Sequence, residues 1–248
     1  MSGHSKWNNI KRKKEKTDGA KAKVFTKIGR ELAVAVKEGG GPDPDSNSKL
    51  KDCIAKAKAA NVPNDNIDRI IKRAAGDGDD TKYENIVYEG YGPCGVAVIV
   101  EALSDNRNRT AADVRHDFDK FGGNLGTTGC VSFIFNQKGV LIIEREGHEE
   151  EKVMEDALEA GAADLQADED IFEIFTEPED FSGVLSDLTD KGYEFETAEI
   201  QMVPSTYVKV PEKKQASMQK LLDALEDLDD VQNVWHNWDM SDVEDTDE

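Results

Sequence analysis

The spacing of apolar residues changes once along this chain, and that change limits the fold more than any single motif does. From Lys21 to residue 75 the apolar positions recur at three- and four-residue steps, the spacing of a helix face, after an arm with almost no apolar periodicity. From Tyr83 onward, short apolar runs alternate with helical stripes, as strands alternate with helices in a sheet protein. The stretch "GDGDD" at 76–80 separates the two regimes and reads as a linker.

Three helices are expected in the first regime. One starts near Lys21, carries Val24, Phe25, Ile28, Leu32 and Val36, and stops at Gly39-Gly40-Gly41-Pro42. A second, capped by Ser46 or Ser48, carries Leu50, Cys53, Ile54 and Ala57 and ends at Asn61 before Pro63. A third follows Asn64, with Ile67, Ile70, Ile71 and Ala74 inward, and stops at Gly76.

In the second regime "NIVYEGYGP" and "CGVAVIVEAL" (94–103) read as strands, the latter apolar on both faces and so central. A helix with Ala111, Val114, Phe118 and Phe121 follows, then a strand at 130–135. Strand 139–144, a helix with Val153, Met154, Ala157 and Leu158, strands near 163–167 and 171–176, a helix with Phe181, Val184, Leu185 and Leu188, and a strand from Tyr193 make a β-α-β-β-α-β series, the ferredoxin-like order. Beyond it come strand 205–210, Pro211 as a helix start, a helix with Met218, Leu221, Leu222, Leu225 and Leu228, and strand 231–238. With the middle series excised, 94–135 plus 200–238 gives the same order again. The expected class is therefore α+β: an N-terminal three-helix domain followed by two ferredoxin-like α/β domains, one inserted into the other, with tandem domains as the alternative. The corresponding parts are a basic arm (1–20), the helical domain (21–76), an α/β domain (82–136 plus 200–240), the inserted α/β domain (137–199) and an acidic tail (241–248).

Several function classes find no support. The longest apolar run, near Gly95–Val100, is too short to cross a bilayer, and no apolar segment follows the basic start as a secretory signal requires. Three scattered cysteines, Cys53, Cys94 and Cys130, suggest a reducing, cytoplasmic setting without disulfides. The histidines His4, His116, His148 and His236 form no ligand spacing, no CxxC exists, and Lys82 stands where a calcium loop needs glycine. His116 reads as part of an exposed helix face, and no phosphate-binding glycine motif is present. No metal, no cofactor and no enzymatic activity are expected.

Charge gives the positive signal. The chain has a net charge of −21, yet its first thirty residues hold ten Lys or Arg against Glu15 and Asp18. Residues 1–75 sum to +9 and residues 76–248 to −30. Lys6, Lys11, Arg12, Lys13, Lys14, Lys16, Lys21 and Lys23 form a dense basic arm suited to phosphates, with His4, Ser5 and Trp7 ahead of it and two rings able to stack on unpaired bases. A second candidate is an effector loop. Arg107 and Arg109 lie at or just before a helix start, where a cation is out of place and calls for a partner, and Arg115 lies farther along the same helix. Gly122, Gly123, Asn124, Leu125 and Gly126 follow in "GGNLGTTG", either a mobile loop whose backbone can approach a ligand or a glycine-rich hairpin or bulge loop with no partner.

The blocks "GHSKWNNIK", "KVFTK", "AKAANVPNDNI", "YEGYGP" and "DNRNRTAADVRH" closely resemble the YebC/PmpR family over the whole folded chain. It departs from the family pattern at Asn8-Asn9, at Pro42-Asp43-Pro44 and at Cys130, where serine is usual. The resemblance implies a helical domain plus two α/β domains, and non-enzymatic cytoplasmic proteins with a mitochondrial branch. It also implies transcriptional regulation through DNA, translational activation in the mitochondrial branch, and a link to ribosomes stalled on sequences such as proline runs. The expected function is thus a nucleic-acid-binding regulator of gene expression. The alternative is a ribosome-associated translation factor that binds rRNA, and a protein adaptor comes third. DNA or rRNA, with the ribosome as a further candidate, are the expected partners, and a monomer or weak oligomer is the expected state.

Overall fold

A computed structural model describes residues 18–76 and 81–241. Its first part is the helical head. Helix α1 (Asp18–Glu38) begins three residues ahead of the expected Lys21, and α2 (Ser48–Ala59) and α3 (Asn64–Ala75) pack against it. Ile28, Leu32, Ala35, Val36, Leu50, Ala57, Val62, Ile67 and Ala74 are buried together. Val24 lies off this face and is exposed, in contrast to its place in the expected stripe.

The cap of α2 is Asn47 rather than either neighbouring serine. Its amide donates to the Ala35 and Gly41 carbonyls, each at 2.8 Å, while its oxygen accepts from the Leu50 N–H at 3.0 Å. A hydroxyl has one proton and cannot satisfy two carbonyls, so only the amide closes the α1–α2 loop from within. Gly40 and Gly41, at φ of 100° and 122°, make the loop's left-handed path.

The first sheet has the order β3-β1-β2-β9, all antiparallel. Strands β1 (Glu84–Tyr91) and β2 (Ala97–Ser104) form a hairpin, β3 is Asn124–Leu125, and β9 is Val231–His236. β2 is central and apolar on both faces, as its continuous run requires. Helices α4 (Arg107–Lys120) and α7 (Glu212–Asp227) cover one face through Val98, Val100, Val114, Phe118, Met218, Leu221 and Leu225.

Strands β4 (Phe135–Glu144), β5 (Asp164–Ala167), β6 (Ile171–Thr176) and β7 (Thr197–Pro204) form the second sheet in the order β5-β6-β4-β7. With α5 (Glu150–Glu159) and α6 (Phe181–Asp190) this is β-α-β-β-α-β with ferredoxin-like strand order. The chain leaves the first sheet after β3, builds the second, and returns to supply α7 and β9. The α+β class, helices first and sheets after, is thus the observed architecture.

Individual strands differ from the sequence reading. The segment 130–135 is a turn followed by a short 3-10 helix (Ser132–Ile134), and Phe135 already belongs to β4. Polar Asn136, Gln137 and Lys138 hid that continuity, yet they pair in register with Val203, Met202 and Gln201 of β7. Within 205–210 only Val208–Lys209 is a strand, β8, pairing in parallel with Trp238–Asp239, β10. Tyr193 precedes β7 as a buried core residue rather than starting the strand.

Candidate nucleic-acid interface

The arm residues His4, Ser5, Lys6, Trp7, Lys11, Arg12, Lys13, Lys14 and Lys16 lie outside the described residues, and so does the side chain of Lys21. The described positive surface is on α2 and α3. Helix α2, SKLKDCIAKAKA, buries Leu50 and Ala57 and turns its lysines outward against a single acid, Asp52. Lys51 and Lys58 are seven residues apart and so share one side, with Lys58 in the last turn where the helix dipole favours cations. Lys56 pairs with Glu31 at 2.8 Å. Lys49, Lys51, Lys58 and, on α3, Lys72 are exposed and have no ion pair among the described residues. Of these, Lys49, Lys51 and Lys58 were passed over in the sequence for the denser arm, although the signal was present in "KLKDCIAKAKAA".

Cations on α1 are engaged instead with the body of the protein. Lys23 pairs with Asp227 at 3.0 Å, and Lys27 donates to the Glu226 carbonyl at 2.6 Å. Arg30 donates to Asp230 Oδ1 at 2.5 Å and to the Asp229 carbonyl at 2.7 Å. Lys37 donates to the Thr81 carbonyl at 2.8 Å. Beside these bonds is a cleft of about 560 Å³ lined by Lys23, Arg30, Arg109 and five aspartates, Asp105, Asp113, Asp227, Asp229 and Asp230.

Asp230, which lines the cleft, is 6% exposed, and its carboxylate accepts from Arg30, from Arg109 at 2.7 Å, from Thr110 at 2.6 Å and from Ser104 at 3.1 Å. Burial pushes its carboxyl up, but the hydrogen bonds from Thr110, Arg109 and Arg30 outweigh that and hold it at about 2.

The arginines at the start of α4 have internal partners. Asn106 caps the helix, Arg109 bridges Asp105 and Asp230, and Arg107 reaches Glu84 at 3.4 Å. Arg115 is exposed without an ion pair among the described residues. The glycine-rich segment after α4 is folded onto its own sheet. Asn124 and Leu125 form the edge strand β3 on Tyr91 and Gly90, and the Gly126 N–H donates to the Glu89 carbonyl at 2.8 Å. A side chain at Gly123 would lie 2.6 Å from the Tyr91 carbonyl, and one at Gly126 would lie 2.5 Å from Cys130 Sγ. The close approach expected of these glycines is therefore to the chain itself. Gly122 has a φ of 83° in the turn that ends α4.

Glu89, unremarked in the sequence, anchors the segment. It is 3% exposed, and its carboxylate accepts backbone N–H bonds from Gly129 at 2.7 Å, Val131 at 2.9 Å and Ser132 at 2.8 Å. Burial raises its carboxyl, and these donors more than offset that and hold it below its ordinary value. Next to this anchor Phe133 is 75% exposed. No group of three or more metal-ligating side chains occurs among the described residues, and no helix there is long and apolar enough to cross a membrane.

Residues 5–77 match the family described as "TACO1/YebC protein N-terminal domain", and residues 83–238 match "TACO1/YebC second and third domain". A "Probable transcriptional regulatory protein" of Acetivibrio thermocellus is 63% identical over 229 residues, 92% of this chain and 94% of that protein. One of the same description from Ruminiclostridium cellulolyticum is 58% identical, covering 92% of both. The crystal structure of a conserved hypothetical protein from Aquifex aeolicus superposes with a TM-score of 0.80 at 44% identity, over 90% of this chain and 92% of that one.

Proposed function

Since the chain belongs to the TACO1/YebC family, we propose that it is a non-enzymatic regulator of gene expression that binds nucleic acid through its basic head. The regulatory role is the one named in its relatives. The observation that carries the binding reading is the set of exposed cations without ion pairs among the described residues, Lys49, Lys51, Lys58 and Lys72, on the head of a protein whose remainder sums to −30. Such cations release counterions from a phosphate backbone, and the acidic body restricts binding to the head. The basic arm ahead of α1 extends the same charge.

Charge reversal on α2 tests this. Lys51→Glu with Lys58→Glu is expected to weaken binding of a labelled oligonucleotide and to reduce the slope of log affinity against log salt by about 2, roughly one unit for each phosphate no longer neutralised. Unchanged affinity and slope would remove α2 from the interface. Deleting residues 2–16 tests the arm in the same assay.

The second reading, an RNA-binding factor of the translating ribosome, gains support from α3. Its exposed surface mixes Asp65 and Asp68 with Arg69 and Lys72, a poor helix for reading a major groove. Phosphate binding to folded RNA needs no such helix. Sedimentation of cell lysate separates the readings: co-migration with ribosomes that is lost at high salt favours translation, and enrichment on promoter DNA favours transcription.

A further inference from the structure

We propose that Lys23, Lys27 and Arg30 form a phosphate-binding row on α1 whose ligands, in the docked head, are the oxygens of the acidic segment Glu226–Asp230, so that a nucleic-acid backbone and this segment compete for the same cations. The proposal rests on the nucleic-acid reading of the head and adds to it a site and a switch.

Steps of four and three residues put these cations on one side of α1, about one helical turn apart. Each is bonded to an oxygen of the segment: Lys23 to the Asp227 carboxylate, Lys27 to the Glu226 carbonyl, and Arg30 to the Asp229 carbonyl and the Asp230 carboxylate. Phosphate oxygens meet lysine and arginine in the same way. In sequence the row follows, through Lys21, the basic run that starts at Lys11.

The seam is built to exchange partners. The apolar cluster of the head draws only on residues between Phe25 and Ala74. That of the first sheet and its helices draws only on residues from Tyr88 onward. Among the described residues no apolar cluster crosses between them, and what joins them is polar, with Arg30 also 6.0 Å above the Tyr83 ring. The side chains of Lys23 and Asp227 are 43% and 66% exposed, so that pair forms in near-bulk dielectric and costs little to break, whereas Arg30 and Asp230, at 19% and 9%, form the buried contact that a phosphate must replace in kind. The docked cleft, with five aspartates against three cations, repels a polyanion, so the backbone gains access to the row only when the segment leaves it.

The test uses the full chain and a labelled 20-nucleotide oligouridine RNA. A triple variant, Glu226→Gln, Asp227→Asn and Asp229→Asn, lowers the segment's charge without altering its shape and leaves the buried Asp230 in place. Competition predicts about threefold tighter binding by the variant, because loss of the Lys23–Asp227 pair and of two neighbouring charges raises the fraction of competent, undocked head. It also predicts that RNA accelerates hydrogen exchange of the wild-type 226–231 peptide, and that adding Lys27→Gln and Arg30→Gln to the triple variant cancels its gain. If the triple variant and wild type bind alike with one salt slope, or if RNA leaves the peptide's exchange unchanged or slower, the competition is wrong while the head's binding role stands. If neither protein binds the RNA or a duplex DNA at any salt, the competition and the reading beneath it both fall.

Discussion

At the scale of single residues, three buried polar side chains, Asn47, Glu89 and Asp230, hold together parts of the chain that sequence shows as loops. Asn47 serves two carbonyls and one N–H, so Asn47→Ala is expected to destabilise the head by about 2 kcal/mol, read as a lowered urea midpoint. Asn47→Asp should recover only part of this, since it keeps the acceptor and loses both donations; equal stability of the Asp variant and wild type would deny the donations any role. Asp230 makes acid stability predictable. Its folded value of about 2 lies below its ordinary 3.8, so its contribution is complete above the ordinary value and is lost as the pH falls through the folded one. Asp230→Asn should therefore flatten the loss of stability between about pH 4 and pH 2, and an unchanged acid limb would refute the role. Much of this scale was hidden in the sequence. Arg109 has one partner in local reach, Asp105 four residues before it, but the buried one is Asp230, 121 positions away, and no local pattern points there. Nor could Ser46, Asn47 and Ser48 be ranked as caps before the loop's two carbonyls were placed.

At the scale of elements, periodicity served well wherever one face is buried and failed where strands pass beyond the core. The stripes of α2, α3, α4 and α7 and the run of β2 were all legible, because burial writes a regular spacing into them. Strand β4 is broken in the sequence by polar Asn136, Gln137 and Lys138, which follow buried Phe135 and lie outside the core, and β3 is two residues, too short for any alternation to show even though Leu125 packs on the first sheet's cluster. The glycine-rich segment was legible as unusual but not as packed. Its packing changes how it should be tested. Gly123→Ala puts a methyl against the Tyr91 carbonyl and is expected to cost about 1–3 kcal/mol, so loss of function in such a variant would reflect folding. Phe133→Ala removes an exposed ring and should leave stability within about 0.5 kcal/mol of wild type, which makes it the informative probe of an effector role. Thermal denaturation of both variants checks this, and a Phe133→Ala protein as unstable as Gly123→Ala would mean that the ring is part of the fold.

At the scale of the whole molecule, the asymmetry of charge is the plainest message of the sequence, and the structure gives it a second use. The +9 of the first 75 residues and the −30 of the rest read as a head that seeks polyanion and a body that avoids it. The same opposition draws head and body together through Lys23, Lys27 and Arg30, which are about 200 positions from their partners and so show no sign of the pairing in the sequence. A seam held by ions and carbonyls rather than by a shared apolar cluster responds to salt. At 1 M salt the screening length shrinks to about 3 Å, which weakens the half-exposed Lys23–Asp227 pair and the long-range attraction, while the apolar clusters on either side are untouched. Calorimetry is therefore expected to show head and body melting closer to one transition at low salt, and a separate, earlier transition of the head at 1 M. Arg30→Gln should produce that separation at low salt, since it removes the bonds to Asp230 and to the Asp229 carbonyl at once. A single transition under all three conditions would mean that head and body are coupled by something other than these charges, and the segment Glu226–Asp230 could not then act as a displaceable ligand.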